Sequence, residues 1–250
     1  MAFSQAQFQA AVDKINSGMS DLSGKIQQVI PTAQSAVDQW YVPGFVADAV
    51  MWLANKVVNI AEALWNKFVE LLKGVAAPVL FFVDAFDWED VKGLASGVAG
   101  ELSPTVLPSG QHWTGTAQQA YAKIVPPQAA AATRIGAISD STAIALGVCA
   151  VAGLAFYVAL GVILAQFIIA MIGVIAALGS VAFSWAGVAL AVGDTTVSAG
   201  LIITAVTTLI AVLTAQTQQM VSLHGQTVDN SVFPGGKWPN PNTSSYNSAS

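Results

Sequence analysis

The sequence predicts an all-α protein: an N-terminal helical hairpin bundle, then two or three transmembrane-type helices, then a mostly disordered C-terminal tail. Three observations carry this. From Phe8 to Leu71, apolar residues recur at spacings of four and three, the period of a helix and not of a strand. Charged residues make up only 9% of the 250 residues, against roughly a quarter in a typical soluble domain. The deficit is also concentrated: residues 1–140 hold eight of nine Lys and Arg and twelve of fourteen Asp and Glu, while between Asp140 and Asp229 only Asp194 remains. Domain boundaries follow at 1–140, 141–215 and 216–250.

Residues 3–40 place Phe8, Val12, Ile15, Met19, Leu22, Ile26, Val29, Ala33, Ala36 and Trp40 on one stripe. This is a heptad seam with a Gln, Asp, Lys and Ser face opposite it, suited to pairing with another helix; Pro31 is a potential kink. After Val42, Pro43 and Gly44, a second helix over about 45–75 sets Val46, Val50, Leu53, Val57, Ile60, Leu64, Phe68 and Leu71 against a polar face of Asn55, Asn59, Glu62, Asn66, Glu70 and Lys73. The two amphipathic faces suit antiparallel packing. Residues 75–86 read as a short apolar run broken by Pro78 and Asp84. A helix then starts at the acids Asp87, Glu89 and Asp90, which favour a helix N-terminus, and fades into the Pro- and Gly-bearing loop 103–110. A further helix over about 112–137 carries Pro126 and Pro127, which are expected to bend it.

Three apolar spans follow, at about 142–165, 167–192 and 197–214, each near the roughly 20 residues that cross a hydrocarbon core. Gln166 and the turn at 193–196 are the expected breaks, with Asp194 at the membrane edge, where an acid costs less than at the midplane. Gly153, Gly161, Gly173 and Ala177 are candidate packing positions for a homo-oligomer, because small residues let helix backbones approach. From Gly225 onward, Pro, Asn, Ser and Gly dominate, which predicts disorder.

Chemistry is sparse. Cys149 is the single cysteine and reads as a small buried hydrophobe. His112 and His224 are too far apart in sequence to suggest a zinc site, no phosphate-binding loop appears, and no basic footprint for nucleic acid is present. The reading is a non-enzymatic chain with no catalytic, metal or cofactor site. The start of the chain (MAFSQAQFQAAVDKIN) lacks the basic and apolar regions of a secretory signal peptide.

One motif stands out. His112, Trp113, Thr114, Gly115, Thr116, Ala117, Gln118, Gln119, Ala120 and Tyr121, followed by Pro127, Gln128 and an Ala-rich helix ending at Arg134 and Ile135, resemble the Trp-x-Gly family of actinobacterial type VII (ESX) secretion substrates, over about residues 85–140. The resemblance implies an antiparallel helical hairpin with Trp113 packed at its tip, Gly115 allowing a close turn, and Ala117, Ala120 and Tyr121 lining the second arm. It also implies export of a prefolded chain, in company with a type VII chaperone or co-substrate. One departure is plain: the Tyr-x-x-x-Asp/Glu export signal is missing, since Tyr121 is followed four residues later by Val125.

The expected function is a non-enzymatic type VII secretion substrate that associates with membrane lipid and forms homo-oligomers in the cell envelope or outside the cell. A pore-forming or channel-like membrane protein and a structural assembly subunit are the alternatives.

Overall fold

The computed structural model describes residues 3–103, 106–107, 112–179, 207, 210–211, 213–218, 221–222, 224–225, 228–229 and 231–240. Among these the protein is all-helical, without a strand. Its elements are α1 (Gln5–Val37), α2 (Gly44–Leu72), α3 (Ala77–Glu101), α4 (Thr116–Gly179) and a 3-10 turn at Pro234–Gly236. The chain divides into two compact units, residues 1–78 with 151–212 and residues 79–150 with 213–250, so α4 contributes one part to each.

In the first unit, α1 begins where Ser4 accepts the Gln7 N–H at 3.3 Å, a side-chain cap on an otherwise unpaired donor. The helix runs unbroken through Pro31. Six members of the seam, Phe8, Ile15, Met19, Leu22, Val29 and Ala33, are buried, and Ile15, Leu22, Val29 and Ala33 have no exposed surface. Full burial of an Ile or Leu side chain stabilises by about 1.5–3 kcal/mol. On α2, Val50, Leu53, Val57 and Phe68 are buried, and the expected polar face, Asn55 through Lys73, is exposed.

The partner of the seam is α4 as well as α2. A methyl built on Gly161 would lie 3.6 Å from Ile15, one on Gly18 would crowd Leu164, and one on Gly179 would lie 3.2 Å from Thr32. The rings of Phe8 and Tyr157 meet edge to face at 5.5 Å. These pairs advance together, so α1 and residues 157–179 of α4 run in the same direction. Tyr157 also donates its hydroxyl to the Leu71 carbonyl at 3.0 Å. The start of α1, the end of α2 and α4 therefore meet at one residue, while the short connection 38–43 joins α1 to α2 at the other end. It follows that α2 runs opposite to α1. A buried tyrosine hydroxyl needs such an acceptor, and Tyr157 is the one tyrosine within the apolar stretch.

The segments expected at about 112–137 and 142–165 are continuous, and the break expected at Gln166 does not occur: α4 is a single helix of 64 residues. The hydroxyls of Ser139, Ser141 and Thr142 turn back onto the carbonyls four residues earlier, at 2.8–3.0 Å, so this polar interval satisfies itself within the helix. Gln166 is a good helix former and does not interrupt it. Pro126 and Pro127 also lie inside the helix. Likewise α3 is one helix across Pro78 and Asp84, because Pro78 falls in the first turn, where the missing N–H would have no partner anyway.

Among the described residues one helix, α4, is long and apolar enough to cross a membrane. Half of the second expected span, all of the turn at 193–196 and most of the third span lie outside the described residues. Asp229 accepts the Ser231 N–H at 2.9 Å and lies 3.5 Å from Arg134 of α4, and Pro239 is buried.

Candidate functional site

In the second unit, Gly136 of α4 lies against Ala95 and Ser96 of α3, at 3.8 and 3.7 Å from a methyl placed there, and Lys92 pairs with Asp140 at 2.7 Å. Position 92 matches 140 and positions 95–96 match 136, so the two helices run side by side in opposite directions. Lys92 also reaches Glu89 at 3.1 Å. Hydrogen bonds to Asp140 first and Glu89 second hold its ammonium pKa above the ordinary 10.5. A raised lysine pKa contributes stability that is fully present below the ordinary value and is lost as pH rises through the elevated one. Alkaline titration above about 10.5 is therefore expected to loosen the contact between α3 and α4, seen as a lower denaturant midpoint. Lys92→Met is expected to remove that pH dependence.

The connection between these helices carries the motif. Gly115 immediately precedes α4 and its carbonyl accepts the Gln119 N–H at 3.1 Å, opening the helix. Its φ is +107°, a conformation open to glycine and strained for any residue with a side chain. Nothing lies within 4 Å of a methyl placed there. Backbone conformation, and not close approach of a neighbouring chain segment, is thus what requires glycine. Two residues earlier, Trp113 packs on Tyr121 with ring centroids 5.7 Å apart and an interplanar angle of 49°. Trp113 is 41% exposed, a surface aromatic pair and not a buried anchor. Ala117, Ala120 and Tyr121 are half-buried along the first two turns of α4.

The second feature is the stretch 142–179 of α4, which contains no Asp, Glu, Lys or Arg. One side meets the rest of the protein through Leu154, Tyr157, Leu160, Leu164, Phe167 and Met171, all buried, while Ile144, Val148, Val158, Val162, Ile169 and Ile172 are exposed. A helix that is apolar all round belongs in a core or a membrane. Of the four small-residue positions, two face partners within this chain. Gly153 is pressed against the Pro78 ring and Gly161 against Ile15, whereas Gly173 is open and Ala177 is half-buried. Cys149 is unpaired, and no cluster of His, Cys, Asp or Glu fit for a metal is present among the described residues; His112 and His224 are both exposed. Asp194 lies outside the described residues.

Trp113 and Tyr121 are thus in ring contact, with Gly115 in the connection between them. The Lys92–Asp140 pair, 48 positions apart in sequence, had no periodic signal to reveal it. No protein family, curated protein or solved structure matches this chain.

Proposed function

We propose that this chain is a non-enzymatic type VII secretion substrate of the Trp-x-Gly kind, in which α3 and the first part of α4 form the hairpin and the apolar part of α4 associates with membrane lipid. The observation that carries the reading is Gly115. It stands in the connection between two oppositely directed helices, at a φ that favours glycine, two residues after a tryptophan that packs on the first turns of the second helix. That placement supports the Trp-x-Gly string as a built turn, in which each residue has its own physical task. The charge-free stretch 142–179 supports the lipid half of the reading, with self-association through open positions such as Gly173.

The test is export from an actinobacterial host with and without a working type VII ATPase. The chain is expected in culture filtrate or envelope only when the ATPase works. Gly115→Val is expected to cost about 1–3 kcal/mol through a forced backbone conformation and to reduce export severalfold. Trp113→Ala, at a half-exposed position, is expected to cost less, about 1 kcal/mol. Export that does not depend on the ATPase would overturn the secretion reading. A charge-free helix with an exposed apolar side also favours a second reading, a pore-forming membrane protein, which dye release from sealed vesicles would reveal.

A further inference from the structure

The end of the first unit at the α1–α2 connection is unusually aromatic and unusually bare. Trp40 is 94% exposed, Phe45 77% and Trp52 68%. Tyr41 packs edge to face on Trp40 at 5.8 Å and is itself half exposed. Phe45 and Trp52 are seven residues apart on α2, hence on one face and about 10 Å apart along the axis. Soluble surfaces seldom gather large apolar groups this way without a partner.

Two further observations indicate what that partner is. The first is charge: residues 26–55 contain no Lys or Arg, and their two acids, Asp38 and Asp48, are exposed. An acidic partner would find no cation here, and an anionic lipid headgroup would gain nothing over a zwitterionic one. The second is continuity. Tyr41 lines an open cavity of about 540 Å³ together with Thr32, Ser35 and Gly179, and Gly179 is where the described part of α4 ends. The aromatic connection and the downstream end of the apolar helix therefore share one end of this unit. From there the sequence continues as Ser180, Val181, Ala182 and Phe183.

We infer that Trp40, Tyr41 and Phe45 form an interfacial lipid anchor that seats this end of the unit in the headgroup layer of a zwitterionic bilayer. Trp and Tyr favour that layer because each ring is apolar along its body and polar at one edge. The anchor rests on the membrane half of the function proposed above and adds to it the site of contact and the lipid class.

The test uses the full chain with Cys149→Ser, carrying an environment-sensitive fluorophore at Gln39→Cys or, as a control, at the exposed Ser20→Cys, reconstituted with phosphatidylcholine vesicles. At position 39, quenching by a shallow doxyl-labelled lipid is expected to exceed that at position 20 by about threefold or more, with little quenching by aqueous iodide. Adding phosphatidylglycerol is expected to change neither result. Trp40→Ser with Phe45→Ser is expected to return position 39 to the behaviour of position 20. Chain that floats with vesicles but leaves position 39 as open to iodide as position 20 overturns the anchor and leaves the membrane reading standing. Shielding of position 39 from both quenchers also overturns it, in favour of a protein partner. Failure of the chain to float overturns both readings.

Discussion

Gly153→Leu is expected to destabilise the protein by about 3 kcal/mol, the upper part of the range for overpacking a tight contact. A methyl at position 153 already overlaps the Pro78 ring. A change of ring pucker moves Cγ but leaves the Pro78 Cβ too close as well, so the helix would have to move. Gly173→Leu, at a position with open space around it, is expected to leave stability within about 0.5 kcal/mol. The pair separates two uses of small residues that look alike in sequence. Thermal melting of the full chain in mild detergent checks the first effect, and light scattering across protein concentrations checks whether Gly173→Leu weakens self-association. Equal melting temperatures for the two variants would show that the contact at Pro78 carries no weight.

Ile15→Ala is expected to cost about 2–5 kcal/mol, as truncation of a fully buried Ile leaves a cavity the surroundings fill only in part. Ile15 has no exposed surface and lies against Gly161, so the loss falls on the contact between α1 and α4. Because the partner is in the same chain, the loss is expected to be independent of protein concentration. A seam used mainly to join copies of the chain would instead give a melting shift that grows on dilution. Denaturant midpoints at two concentrations, tenfold apart, decide between the outcomes.

Much of the first unit was legible in the sequence. The alternating spacing from Phe8 to Ala33 named the buried face of α1, and Asn55 to Lys73 named the exposed face of α2, because each helix has a polar side to contrast with an apolar one. That contrast fails in α3 and α4. Where nearly every residue is apolar, periodicity cannot say which side packs inward, so neither the pairing of Ile15 with Gly161 nor that of Gly153 with Pro78 could be foreseen. The continuity of α4 is hidden for a different reason: the change from a polar to an apolar stretch near residue 140 divides two segments in sequence, while the hydroxyls of Ser139, Ser141 and Thr142 bond back within one helix. At the motif, a turn was implied by the resemblance that Trp113, Gly115 and Tyr121 carry. The reason for the glycine was not, because conformation and close approach leave the same letter in the sequence.

The shared direction of α1 and the apolar part of α4 has a topological consequence. Along this contact α1 carries Asp13, Lys14 and Asp21, all exposed. Each such charge at the centre of a bilayer costs about 2.5–3.5 kcal/mol even on insertion-based scales. Residues 151–179 thus cannot thread the hydrocarbon core while α1 stays alongside; α1 is a sheath, and the helix must be drawn from it before it can cross. Any membrane crossing by this segment would be an alternative to the folded unit, and contacts such as Ile15 on Gly161 and Leu164 on Gly18 would set how readily the folded unit gives way to it.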